Sequence, residues 1–98
     1  MGIVWTDRSV KDLQSIFEFI FKDSPYYAER FIKSLVKSTE KLESMPLIGR
    51  EVPELPQHNL REIIYKNFRI VYRVSKENDI IIISIIHCSR DFSSAING

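Results

Sequence analysis

Five of the seven arginines, Arg50, Arg61, Arg69, Arg73 and Arg90, lie in the second half of the 98-residue chain, where only Lys66 and Lys76 accompany them. A guanidinium is a rigid fork of donors that matches the two oxygens of a carboxylate or phosphate, whereas an ammonium is a point charge. The second half is thus arginine-rich rather than strongly basic, and it suits contact with anionic groups of a partner or a nucleic acid. Residues 1–49 carry seven basic and seven acidic side chains, the balance of an ordinary solvated surface. With a formal net charge of +1, the chain as a whole gives no electrostatic support to nucleic-acid binding.

Few other side chains have reactive chemistry. The His87 imidazole is of a type that suits proton transfer, although a histidine at a strand end is more often a hydrogen-bonded structural group. Glu54 lies between prolines and positions its loop, and the plain reading of Arg69 is a pair with Glu62 or Glu54 across a sheet, worth about 0–1 kcal/mol. Cys88 reads as an inert small core residue, and as the one cysteine it excludes an internal disulfide. One cysteine and two histidines cannot supply the four ligands of a structural zinc site, so neither metal nor cofactor is expected. These counts point to a reducing cytoplasm. No window approaches the ~18 uninterrupted apolar residues of a membrane span, so no membrane association is expected.

The elements that must position these groups follow from periodicity. Ile3-Val4-Trp5 is a short apolar run ahead of Thr6-Asp7, which predicts a strand and then a helix N-cap. Val10, Leu13, Ile16, Phe17, Ile20 and Phe21 form the apolar stripe of an amphipathic helix that ends at Lys22. Asp23-Ser24-Pro25 restarts the chain, with Ser24 as N-cap and Pro25 at the first helical position. Ala28, Phe31, Ile32, Leu35, Leu42 and Met45 then predict a second helix that runs until Pro46, making a helical hairpin whose core includes Phe17, Phe21 and Phe31, with Trp5 from the first strand.

Residues 46–59 hold three of the four prolines and one of the three glycines, which predicts an extended loop, long for so small a domain and the first place to look for contacts. Residues 60–65, 68–74 and 80–88 are β-branched and aromatic runs joined by Lys66-Asn67 and by residues 75–79, the pattern of an antiparallel meander. In the middle run Phe68, Ile70, Tyr72 and Val74 share one face and Arg69, Val71 and Arg73 the other. The last run is apolar on both faces and belongs inside the sheet or beneath a partner. The expected architecture is α+β in the order β-α-α-β-β-β, a helical hairpin on one face of a small antiparallel-rich sheet, with the arginine-bearing face partly open. With 44% hydrophobic and 28% charged residues, the chain reads as one domain spanning residues 1–98. A domain this small buries roughly 60–65% of its unfolded surface, which leaves apolar surface for a partner to cover.

These residues resemble the RelE/ParE superfamily of toxins from type II toxin–antitoxin modules. The resemblance spans nearly the whole chain. It rests on the element order, on Pro46-x-x-Gly49-Arg50-x-Val52-Pro53-Glu54, on Leu60-Arg61-Glu62, on Phe68-Arg69-Ile70-Val71-Tyr72-Arg73, and on His87-x-x-Arg90-Asp91 closing the last strand. It implies a cytoplasmic growth inhibitor of the plasmid-stabilisation type, held inactive in a hetero-oligomer by a cognate antitoxin whose C-terminal segment wraps it.

The superfamily has two chemistries. The RelE-like and YoeB-like branch cleaves mRNA on the ribosome, a reaction that needs a base for the attacking 2′-hydroxyl, cations for the developing phosphate charge and an acid for the leaving oxygen. By resemblance Arg69 would stabilise that charge, Glu54 would be the general base and His87 would stand near the position of a terminal histidine. The match is incomplete: Glu62 and Ile64 stand where such nucleases carry paired lysines, and the terminal arginine, tyrosine and His-Tyr features have no counterpart. The ParE-like branch inhibits DNA gyrase without nuclease residues, and His87-Cys88-Ser89-Arg90-Asp91 is more similar to its last strand. The expectation is therefore a ParE-like toxin, with an mRNA endonuclease as the alternative and a non-toxic binding module as a third reading. Arg50, Arg61, Arg73 and Arg90 are candidate contacts to the antitoxin or to nucleic acid.

Overall fold

The computed structural model describes residues 2–92 and Ala95. Thr6 turns the first strand, β1 (Ile3–Trp5), into helix α1 (Asp7–Phe21): its hydroxyl oxygen accepts from Ser9 N–H at 3.1 Å and its O–H donates to the Ile82 carbonyl at 3.0 Å. The same residue therefore caps the helix and ties it to the last strand. Ser24 caps α2 (Pro25–Ser38) through Tyr27 N–H, with Pro25 in the first turn as its sequence predicts. The second helix stops seven residues short of Met45. Ser38 and Thr39 donate their hydroxyls back to the Leu35 and Val36 carbonyls at 2.6 and 2.7 Å, and the chain tightens into a 3-10 turn over Glu40–Glu43.

The remaining strands are β2 (Arg50–Glu51), β3 (Arg61–Tyr65), β4 (Phe68–Val74) and β5 (Ile80–His87), in a five-stranded sheet of order β1-β5-β4-β3-β2. The pairs β2/β3, β3/β4 and β4/β5 are antiparallel, and β1 runs parallel to β5 with Ile3 opposite Ile80. The β-α-α-β-β-β order is as expected; β2 is an added edge strand from within the proline-rich loop, which also contains a 3-10 turn at Pro56–His58. Two-residue pairing is too short to read in a segment so rich in proline. Lys66 and Asn78 take positive φ in the two turns of the meander. Strand β5, apolar on both faces, is flanked on both sides as its composition requires. Between Val71 and Tyr72 the register slips, so that Val71 faces Ser84, Tyr72 faces Ile82 and Ile83 is the extra residue of a bulge.

The helical hairpin covers one face. Phe31, Leu35 and Leu42 pack on Ile63, Ile70, Tyr72, Ile80, Ile82 and Ile85. The hairpin stripe is less buried than its period suggests: Phe21, Val10 and Met45 are exposed, and Phe17 packs on Phe21 at 5.4 Å between ring centroids. The opposite face carries a second small core of Val52, Val71, Ile86, Phe92 and Ala95. The arginine face is therefore partly open, as expected: Val52, Phe92 and Ala95 lie over its middle and Arg69 is buried, while Arg50 and Arg73 stay exposed. Arg8 of α1 donates to the Ala95 carbonyl and fastens that cover.

Candidate functional site

The long loop is anchored by a buried tyrosine. Tyr72 points from β4 into the hairpin-side core; its O–H donates to the Pro46 carbonyl at 2.7 Å and its oxygen accepts from Gly49 N–H at 3.0 Å. Burial raises the Tyr72 phenol above its ordinary pKa, so it stays a donor throughout the physiological range. Gly49 has no room for a side chain, since a Cβ there would lie 2.6 Å from the Glu62 carbonyl oxygen and from the Tyr72 hydroxyl. Arg61, on the same face as Tyr72, donates to the Gly49 carbonyl at 2.8 Å. The Pro-x-x-Gly motif is therefore a clamp that delivers residues 50–54 to the other face of the sheet.

There a chain of alternating charges forms. Arg50 and Glu62 are paired opposite each other on β2 and β3, and Arg69 is the diagonal neighbour of Glu62 on β4. Glu62, wholly buried at its side chain, accepts from Arg50 Nε at one oxygen and from Arg69 Nε at the other, both at 2.5 Å. The far edge of the Arg69 guanidinium grips Glu54, with Nη1 and Nη2 at 2.9 and 2.8 Å from its two oxygens. Phe92 closes the remaining side, its ring centroid 4.7 Å from the guanidinium carbon.

The electrostatics follow from this geometry. The hydrogen bonds from Arg69 hold the Glu54 carboxyl below the usual carboxylate range, outweighing the opposing effect of burial. Glu54, and behind it Glu62, hold the Arg69 guanidinium above its ordinary value. A carboxylate so stabilised is a weak base at neutral pH, and a guanidinium whose Nε, Nη1 and Nη2 each already donate to a carboxylate has its charge compensated by Glu54 and Glu62. Among the described residues no buried side-chain nitrogen or oxygen lacks a partner.

The structure does not bring the three candidate nuclease residues together. Arg69 and Glu54 meet, but His87 lies on the hairpin side, edge-on to Phe68 at 5.2 Å, and Phe68 in turn packs on Phe31. The His87 Nδ1 accepts from Ser89 N–H at 3.1 Å. Of the four candidate contact arginines, Arg50 is exposed beyond its bond to Glu62, Arg61 is occupied with the loop, and Arg73 and Arg90 are exposed. Cys88 corrects the sequence expectation: strand β5 ends at His87, and the thiol is exposed in the following turn.

Two structural residues escaped the sequence reading. Asp12 reaches from α1 to the part of β5 beyond β1, accepting from Ser84 O–H at 2.7 Å and Ile85 N–H at 2.9 Å. Its signal is a carboxylate flanking the apolar stripe, immediately before Leu13. Tyr72 could have been found as the one polar tip on the buried face of β4. Among the described residues no group of three His, Cys, Asp or Glu could hold a metal ion, and no helix is long and apolar enough to cross a membrane.

Comparison with known proteins agrees with the fold. A family model described as "ParE toxin of type II toxin-antitoxin system, parDE" matches residues 3–92. No curated protein matches the sequence. Among solved structures, a chain of the chromosomal ParDE toxin–antitoxin system of P. aeruginosa superposes with a TM-score of 0.73 at 22% identity, covering 89% of this chain and 95% of that one. A chain of the RelBE2 toxin–antitoxin complex of Mycobacterium tuberculosis gives a TM-score of 0.63 at 19% identity, covering 88% and 95% respectively. At these identities the two structures are alike in fold.

Proposed function

The chain belongs to the ParE toxin family of type II toxin–antitoxin systems, and we propose that it is a growth-inhibiting toxin, neutralised in the cytoplasm by a cognate antitoxin, that acts on DNA gyrase rather than by cutting mRNA. The observation that carries this reading is the closed pair of Arg69 and Glu54 with His87 on the opposite face of the sheet. In-line attack by a 2′-hydroxyl needs a free base, an uncommitted cation and an acid converging on one phosphate. Here the carboxylate is a weak base, the cation is engaged, and the imidazole faces other side chains. A target bound through shape and surface needs none of the three.

The test is expression of the chain alone under tight control in a bacterium, with mRNA 5′ ends mapped and chromosomal breaks scored within minutes of growth arrest. Broken DNA with intact transcripts supports the gyrase reading. Codon-phased mRNA cuts with intact DNA replace it with the endonuclease reading and make Arg69 and Glu54 catalytic candidates. Undisturbed growth would mark a binding module that keeps the scaffold without the toxicity.

A further inference from the structure

A small aromatic-walled pocket opens between α2 and the end of β3. It holds about 190 Å³ and is lined by Tyr27, Arg30, Phe31, Ser34, Tyr65 and Lys66. The first four follow the three-and-four spacing of one helix face, so α2 presents them together. Buried Phe31 is the floor: its ring packs on Tyr27 at 5.9 Å and on Tyr65 at 5.5 Å between centroids. Arg30 and Lys66 are exposed at the rim, and each leans over a ring, Arg30 on Tyr26 at 5.6 Å and Lys66 on Tyr65 at 5.9 Å. No carboxylate lines the pocket. Glu29, beside Arg30 in sequence, is held by Lys33 at 2.9 Å, and among the described residues neither Arg30 nor Lys66 is paired with an acidic side chain.

We infer that this pocket binds a nucleotide unit, its base among the aromatic rings and its phosphate on Arg30 and Lys66. The inference stands apart from the choice of gyrase or mRNA as target. An apolar cavity of about 150 Å³ takes up a benzene ring, so this one has room for a planar base. Aromatic faces stack on any base, and the guanidinium and ammonium beside them supply the charge that a phosphate needs. The placement of the cations argues against the other ligand that joins a ring to a phosphate. In a phosphotyrosine the phosphate is at the far tip of the ring and would enter first, onto Phe31. In a nucleotide it lies on the sugar side and stays at the rim. The Ser34 hydroxyl, also in the lining, can meet a base edge as donor or acceptor. Beyond the pocket Tyr26 is 71% exposed, a second ring for the neighbouring base of a single strand. A net charge of +1 is compatible with this, because stacking and two local contacts, rather than a broad field, hold the ligand.

The test is fluorescence anisotropy of the purified chain with a labelled DNA single strand of about ten nucleotides. The unlabelled strand, its duplex and adenosine monophosphate serve as competitors. The variants are Tyr27→Ala, the pair Arg30→Gln with Lys66→Asn, and Lys76→Gln as a control at the opposite end of β4. The bond from residue 27 to Ser24 is made by its backbone N–H, and asparagine tolerates the positive φ of residue 66, so circular dichroism melts should overlay the wild type. Tyr27→Ala is expected to weaken strand binding about tenfold. The double variant should weaken it as well and flatten the slope of log affinity against log salt by about 1.4, two contacts of about 0.7 each. Lys76→Gln should stay within about twofold, the scatter of a neutral surface change. Displacement by the mononucleotide assigns the pocket to a free nucleotide, and displacement by the unlabelled strand alone assigns it to a unit within a strand; either supports the inference. A wild type that binds neither overturns it. So does binding that ignores Tyr27→Ala, or that the duplex displaces as well as the single strand, since paired bases cannot enter the pocket.

Discussion

Arg69 holds Glu54 by two parallel hydrogen bonds and bonds Glu62 through its Nε, so that it links a carboxylate carried on the proline-rich loop to one buried in the sheet. The pair thus joins loop to sheet, and its removal acts on the fold before it acts on any chemistry. Replacing Arg69 with alanine leaves Glu62 buried with only Arg50 for charge compensation, and should cost about 3–5 kcal/mol in urea unfolding. A double replacement of Arg69 and Glu62 by leucine should cost clearly less than the sum of the singles, because the uncompensated charge goes with its partner. A loss of growth arrest in Arg69→Ala alone is consequently no sign of catalysis unless its stability is measured beside it.

Glu54 makes the fold pH-dependent in a defined direction. Its folded pKa is depressed by Arg69, so the stabilisation is fully present above the ordinary carboxylate range and is lost as pH falls through the depressed value. Because the side chain is about one-third exposed, solvent screening limits the effect to about 0.5–1 kcal/mol. Thermal melts from neutral pH down to acid should show this loss in the wild type. In Glu54→Gln the slope over that acid window should be shallower.

Gly49 admits no substitution without movement of β3 or Tyr72. Gly49→Ala should destabilise by about 2–4 kcal/mol, since a backbone oxygen and a doubly bonded hydroxyl must both give way. Tyr72→Phe keeps the ring but strands Gly49 N–H and the Pro46 carbonyl, and should cost about 1–3 kcal/mol. Limited proteolysis of Tyr72→Phe should cut first within residues 46–60.

Asp12→Ala removes the acceptor for Ser84 and Ile85 where β5 has run past β1. A loss of about 1–3 kcal/mol is expected, with amide exchange accelerated at Ile85 ahead of its neighbours. Uniform acceleration along β5 would mean that Asp12 supports the whole strand rather than its edge.

The element order, the Thr6 and Ser24 caps and both meander turns were legible because each rests on local chemistry: a hydroxyl before a helix, a proline in its first turn, a polar turn between β-branched runs. Even the pairing of Arg69 with Glu62 and Glu54 was readable as a cross-sheet alternative. Its burial was not, because that depends on Val52 and Phe92 folding over the second face from distant parts of the chain. The side on which His87 falls depends on the β4/β5 register, which shifts at the bulge around Ile83 and has no signature in a run of isoleucines. Phe21 keeps the helical period yet stays exposed, since periodicity shows which face a residue shares but not where its cover ends, and Met45 is exposed because α2 ends at Ser38.

The parallel pairing of β1 with β5 sets a clock on synthesis. Ile3 leaves the ribosome early and waits for Ile80, and Thr6 and Asp12 wait for Ile82 and Ile85. At about 5–20 residues per second that delay is roughly 4–15 s. Throughout it the sheet lacks β5, the strand that lies between β1 and β4, so a stalled or prematurely terminated chain cannot complete the sheet.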